Sequence, residues 1–267
     1  MTTPTSAPEQ TIPPAVLAGS VVAGESLQLH RVDLETLLRL ALNELGGIWR
    51  SLTGRDPNRF RDGLALALPA LSEEYGPAAA TLGADWYDDM RDLSGVPGTF
   101  RAIPAEMPDQ GRYDALIGWG TDPLFRGNPE VNEAGEVIRI PKLGDPDFIP
   151  DFASAQGRVE GGFQRLVADM DRDSVIGSLK ADPQARGWAR QTTGESCDFC
   201  KMIAGRGAVF SAETATFSSH DRCDCVCVPV LGGDPRPVEK YTPSQRFRSK
   251  SQRAANNARI REYLRAP

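Results

Sequence analysis

All five cysteines of this 267-residue chain, Cys197, Cys200, Cys223, Cys225 and Cys227, fall inside one stretch of 31 residues. Scattered cysteines are compatible with almost any fold, whereas a cluster of this density demands that the local backbone bring sulfurs together. The segment reads CDFCKMIAGRGAVFSAETATFSSHDRCDCVC. It offers a Cys-x2-Cys pair, a glycine-containing turn at Gly205–Gly207, and then His220-x2-Cys223-x-Cys225-x-Cys227. A Cys-x2-Cys pair presents two thiolates to one tetrahedral ion, and a second pair about 20 residues later completes four ligands, as structural zinc sites require. The expected zinc ligands are Cys197, Cys200, His220 and Cys223, with Cys225 as the competing ligand if His220 turns away. On a strand, Cys223, Cys225 and Cys227 would share one face. Three other chemistries stay open: a metal-free thiol cluster in a small core, disulfides formed outside the cell, and a cysteine nucleophile. For the last, Cys200 or Cys223 would pair with His220, one of only two histidines in the chain beside His30. Ser218 and Ser219, next to His220, are weaker candidates because adjacent residues rarely face one another.

The rest of the chain reads as helical. Leu34, Leu37, Leu38, Ala41, Leu45, Ile48 and Leu52 recur at three-and-four spacing, which predicts a helix capped by Asp33 and stopped at Gly54. A second helix is expected from about Asn58 through Tyr75, with a kink or break at Pro69, and a third after Gly76-Pro77 that ends near Leu93. These segments would pack as a small antiparallel bundle. In Asp85-Trp86-Tyr87-Asp88-Asp89 the acids are expected on the wet face, with Trp86 and Met90 in the core. Residues 95–150 are rich in glycine and proline and read mostly as connection, with a strand pair about a turn at Glu133–Gly135. Helical spacing returns from about Phe152 to Lys180, with Phe152, Val159, Phe163, Leu166, Val167, Met170 and Ile176 on the buried face, until Asp182-Pro183. Val226, Val228 and Val230 alternate as in a short strand.

The expected fold class is therefore α+β, mainly α: an N-terminal helical region, then a small Cys/His-stapled C-terminal module with a short β element. The expected division is a flexible arm at 1–28, where Pro4, Pro8, Pro13 and Pro14 oppose regular structure, a helical region at 29–94, a connecting region at 95–150, the Cys/His module at 151–233 and a basic tail at 234–267. That tail holds nine Lys or Arg against three acids, a net +6, while residues 1–233 hold 21 bases and 33 acids, a net −12. Such asymmetry suits an acidic partner such as DNA, or the chain's own acidic body. The overall −6 argues against a protein whose whole surface coats nucleic acid. No signal peptide is expected, because the first fourteen residues carry no base, and the apolar run at 15–24 is too short to span a bilayer. A reducing cytoplasm and no membrane partner follow as expectations.

The stretch from Trp188 to Val230 resembles the Mu F-like head morphogenesis family of tailed bacteriophages, on Cys197, Cys200, Gly205–Gly207, His220, Cys223, Cys225 and Pro229, with Cys227 as an extra. The upstream helices, including FRDGLALALPALSEEYGPAAATLGADWYDDMR and VEGGFQRLVADMDRDSVIGSL, are similar to minor capsid proteins of actinobacterial phages. The resemblance implies a virion protein of the phage head, assembled in the bacterial host cytoplasm beside the portal protein, the scaffolding protein and the major capsid protein, with packaged DNA as a partner of the basic tail. Some members are capsid maturation proteases, so an enzyme acting on scaffold or capsid protein is the alternative, and a zinc-dependent DNA-binding module is a second. The chain contains no HExxH and no G-x-S-x-G, which favours the structural role, with the Cys/His chemistry directed at folding.

Overall fold

The computed structural model describes residues 20–52, 54, 56–192, 196–205, 217, 219–223 and 225–232. Among these the chain is mostly helical, with two small two-stranded sheets, in the order α1 (Ser20–Leu52), α2 (Pro57–Leu93), α3 (Gln110–Thr121), β1 (Glu130–Val131), β2 (Val137–Arg139), α4 (Phe152–Ala181), β3 (Ala185–Gln191), α5 (Asp198–Ala204) and β4 (Val226–Leu231). Residues 1–19 of the expected arm and the basic tail lie outside the described residues, whereas 20–28 belong to α1.

Helix α1 buries Leu34, Leu38, Ala41, Leu45, Trp49 and Leu52, a stripe that follows the sequence spacing. It begins at Ser20, thirteen residues before the expected cap at Asp33, because no proline lies between Ser20 and Asp33 and the one glycine, Gly24, is tolerated within a helix. Past its end, Gly54 takes φ +88°, the left-handed conformation glycine adopts at little strain.

Helix α2 is one helix rather than two. Asp56 caps it, its carboxylate accepting from the N–H groups of Asn58 and Arg59, and Pro57 occupies the first turn, where a missing N–H is harmless. It then runs through both Pro69 and Pro77. Each proline forfeits one backbone hydrogen bond and costs about 3 kcal/mol in a helix interior. The same face buries Phe60, Leu64, Leu68 and Leu71 before Pro77 and Trp86, Tyr87 and Met90 after it, each side chain contributing about 1.5–3 kcal/mol. Burial on both sides of the prolines outweighs them. Asp85 and Asp89 are exposed and Trp86 and Met90 buried, as the helical spacing requires.

Helices α1, α2 and α4 share one core with α3, built around Leu45, Phe60, Leu64, Phe163, Val167 and Leu116. At Gly83 the α2 backbone lies against the Asp171 carbonyl of α4 so closely that a Cβ would overlap it. Near this crossing His30 of α1 stacks on Trp86 at 4.5 Å, and its Nε2 sits 3.2 Å from Asp171 Oδ1. Helix α3 occupies part of the stretch expected as connection; its glycines mask a weak amphipathic pattern, yet Tyr113, Leu116 and Ile117 are buried and Asp109 caps it. The expected strand pair is β1–β2, turning at Gly135 with φ +78°. There Arg139 binds the carboxylates of Glu130, Asp145 and Asp147.

A second core joins the C-terminal ends of α2 and α4 to β3 and β4, with Trp86, Tyr87, Met90, Val175, Leu179 and Trp188. Its polar pin is Asp182, which caps α4 and accepts from Tyr87 Oη at 3.1 Å, Arg91 Nε at 3.0 Å and the Gln184 N–H at 2.9 Å. Strands β3 and β4 are antiparallel, with Trp188 opposite Pro229 and Arg190 opposite Cys227. Among the described residues no helix is long and apolar enough to cross a membrane.

Candidate metal centre

Two short segments deliver the sulfurs. Cys197 is the N-cap of α5, and its Sγ accepts from the Cys200 N–H at 3.5 Å, so the Cys-x2-Cys spacing turns both sulfurs to one side. The second segment is the turn His220-Asp221-Arg222-Cys223, closed by the Cys223 N–H donating to the His220 carbonyl at 3.1 Å. Within it Arg222 holds φ +59°, a conformation that costs a non-glycine residue about 1–2 kcal/mol. The turn that contains Arg222 carries the imidazole and the Cys223 sulfur to the α5 pair.

The donors converge. His220 Nε2 lies 3.0 Å from Cys197 Sγ and 3.2 Å from Cys200 Sγ, and Cys200 Sγ lies 3.8 Å from Cys223 Sγ. Two trios share Cys200: Cys197, Cys200 and His220, and Cys200, Cys223 and Cys225, each with donor atoms within 4.8 Å of one another. His220 Nδ1 contacts the Asp221 carbonyl at 2.8 Å. With the proton on Nδ1 that contact is a hydrogen bond, and it leaves the Nε2 lone pair facing the sulfurs, the orientation a metal-bound histidine needs. Three thiols and an imidazole are a soft donor set, suited to a thiophilic cation.

Two buried arginines surround this cluster. Arg172, 1% exposed on α4, donates from Nε to the Cys225 carbonyl at 3.0 Å, from Nη2 to the Cys223 carbonyl at 2.8 Å and from Nη1 to Asp169 at 2.8 Å. Arg190 on β3 points Nη1 at Cys200 Sγ (3.8 Å) and Cys223 Sγ (4.0 Å), and its guanidinium lies 3.9 Å from the Phe217 ring centroid. Two buried cations require nearby negative charge: Asp169 supplies it for Arg172, and the Cys223 sulfur lies close to both arginines. Hydrogen bonds from Cys200 and Cys225, then the Arg172 charge, hold the Cys223 thiol far below its usual range despite burial. The same contacts with Cys223 and Cys225, and burial, push Cys200 far up. Burial works against ionising Cys197, yet the Cys200 N–H and His220 bring its pKa down. Burial also opposes a charged His220, but its contact with the Asp221 carbonyl and the Cys223 and Cys197 sulfurs raise it. The surroundings thus favour the ionised form at Cys223 and Cys197, and a deprotonated sulfur is the form that binds a cation.

The expected ligands divide between the two trios: Cys197, Cys200 and His220 form one, while Cys223 stands with Cys200 and the alternative ligand Cys225 in the other. Cys227 joins neither: β4 starts at Val226, so Cys223 and Cys225 precede the strand, while Cys227 within it enters the Trp188 core. All five cysteines are free thiols. Of the expected nucleophile pairs, Cys200 and His220 are in contact, but Cys200 and Cys223 are buried. Ser219 Oγ donates instead to Asp169 at 2.7 Å. Ser218 and residues 206–216, including Arg206 and Gly207 of the expected turn, lie outside the described residues. Sequence reading missed Arg172 and Arg190, although signals existed. Arg172 precedes Ile176 and Leu179 by four and seven residues, on a buried stripe, and Arg190 follows Trp188 at strand spacing.

A family model described as VG15 protein matches residues 22–249. No curated protein and no solved structure matches the chain.

Proposed function

The chain belongs to the VG15 protein family, a viral protein family, and from that premise we propose that it is a minor capsid protein of a tailed bacteriophage head. In this role it assists prohead assembly beside the portal, in contact with scaffolding and major capsid protein, and its basic tail touches packaged DNA. The observation that carries the reading is the Cys/His cluster, whose Cys200, Cys223 and Cys225 are buried and braced by Arg172 and Arg190. A closed four-ligand site stabilises a fold and leaves no open position for substrate. We assign it one structural zinc, held by Cys197, Cys200, His220 and Cys223, with Cys225 as the alternative ligand. Bound zinc would neutralise thiolate charge and lock α5 to the His220–Cys223 turn.

Quantitative mass spectrometry of purified proheads and virions tests the role. A few copies per particle in both are expected; absence from both would overturn it. The contact of Cys197 with His220 Nε2 favours one second reading, a capsid maturation protease using Cys197 as its nucleophile. Under that reading wild-type chain cleaves scaffold or capsid protein and Cys197→Ser does not; under the structural reading neither cleaves.

A further inference from the structure

Helices α1 and α2 leave between them an open groove of about 550 Å³ on the side away from the shared core. Its floor is apolar, with Leu37 and Leu40 from α1 and Pro77, Ala78 and Leu82 from α2. Leu40 is 51% exposed, and Leu29, on the same α1 face three turns earlier, 65%. A leucine this exposed on the face of a helix pair forgoes most of the burial energy of its side chain, which is recovered when something covers it. The groove is also acidic. Asp33 lines it, and helical spacing places Glu44 beyond Leu40 on α1 and Glu74 and Asp85 on either side of Ala78 on α2, all exposed.

The chain itself carries a segment of the opposite character. In ARIREYLRAP at its C-terminal end, Ile260, Tyr263 and Leu264 stand at the i, i+3, i+4 spacing of helix-in-groove anchors, flanked by Arg259, Arg261 and Arg265. Three apolar anchors among three cations and one acid, Glu262, a net +2, complement an apolar floor with acids around it. Reach is sufficient. The described chain ends at Gly232, packed beside Val96 just past the end of α2. Sixteen residues of helix, from Leu93 back to Pro77, span about 24 Å, whereas the 27 residues from 233 to 259 can extend to roughly 90 Å.

We propose that residues 259–265 of this chain dock in its own α1–α2 groove, Ile260, Tyr263 and Leu264 covering Leu40 and Pro77 while the three arginines face Asp33, Glu44, Glu74 and Asp85. The docked segment takes three of the tail's nine bases. Arg236, Lys240, Arg246, Arg248, Lys250 and Arg253 remain for an acidic partner, so docking and a DNA contact are compatible.

The test uses the full chain with p-benzoylphenylalanine in place of Tyr263, prepared as an equal mixture of light and heavy isotope forms and irradiated. The proposal expects cross-links to residues 36–40 and 77–82 within single chains, reduced at least several-fold by Asp33→Lys with Glu74→Lys or by high salt. Hydroxyl-radical footprinting of full-length Ile260→Asp/Leu264→Asp, with folding checked by circular dichroism, is expected to show Leu40 several-fold more reactive than in wild type. Mixed light–heavy cross-links would make the occupant a second copy and overturn the proposal. Cross-links elsewhere, or a Leu40 reactivity that does not respond to the tail substitutions, would overturn it as well.

Discussion

Replacing Arg172 with Met keeps most of the side-chain volume and removes three hydrogen bonds, two of which join helix α4 to the backbone of the ligand segment and one of which stays within α4. Two of the acceptors, the carbonyls of Cys223 and Cys225, belong to buried residues. A buried acceptor left without a partner costs about 1–3 kcal/mol, so these two together amount to roughly 2–6 kcal/mol. The third acceptor, Asp169, keeps Ser219 at 2.7 Å and Arg112 at 3.3 Å and adds less. Against a total stability of about 5–15 kcal/mol for a domain, the loss is large enough to read in a denaturant titration. The carbonyls belong to the ligand cysteines, so the loosened turn is also expected to weaken zinc binding in competition with a chromophoric chelator. Arg172→Lys should rescue little, because one ammonium does not reproduce the planar fork that reaches both carbonyls. If Arg172→Met does not fold, Asp169→Asn, which weakens the guanidinium's anchor, provides a milder version of the same measurement. A change below about 0.5 kcal/mol in Arg172→Met with unaltered zinc affinity would refute the reasoning, because an exposed surface arginine would behave that way.

Gly83→Ala drives a Cβ into the Asp171 carbonyl, and the overpacking is expected to exceed the gain in helix propensity, for a net loss of about 1–2 kcal/mol. Gly177→Ala on α4, with nothing within 4 Å of the added Cβ, should instead raise the melting temperature slightly. Arg91→Ala strands the Asp182 carboxylate in the second core and is expected to destabilise by about 3–5 kcal/mol, part of which Asp182→Asn should restore when combined with it, as read by denaturation. Asp147 is lowered to about 2, chiefly by its hydrogen bonds with Arg139. Its contribution to the β1–β2 hairpin is therefore complete above the unfolded carboxylate value of about 4 and lost as pH falls toward 2. Amide chemical shifts of residues 130–147 should follow that titration in wild type and not in Arg139→Gln.

Where the physics was local and periodic, the sequence was enough to anticipate the structure. The stripes of α1 and α4 and the strand containing Val226, Val228 and Val230 follow from side-chain spacing alone, and the Cys-x2-Cys and His-x2-Cys spacings pointed to the segments that bring the Cys/His cluster together. Helix α2 was misread because Pro69 and Pro77 are local signals of interruption, while the burial that overrides them, from Phe60 to Met90, is tertiary. Helix α3 was hidden by Gly111, Gly118 and Gly120, which dilute its apolar face. Cys227 was placed with the other sulfurs on the assumption that the strand began before Cys225, and a shift in strand onset sends its side chain to the Trp188 core. Arg172 and Arg190 were missed because charged residues are read by default as solvent-facing. The Asp169 carboxylate and the backbone carbonyls of Cys223 and Cys225 offset the burial of Arg172, and Arg190 lies against the Cys200 and Cys223 sulfurs.

Elemental mass spectrometry of the reductively purified chain, paired with thermal melts before and after chelation, tests the account at its centre. One zinc per chain is predicted, together with a large fall in melting temperature on chelation that added zinc reverses, and loss of the metal in Cys200→Ser. A chain that carries no metal after purification in the presence of zinc, and melts identically with and without chelator, would contradict the assignment of the Cys197–Cys225 cluster as a structural metal centre.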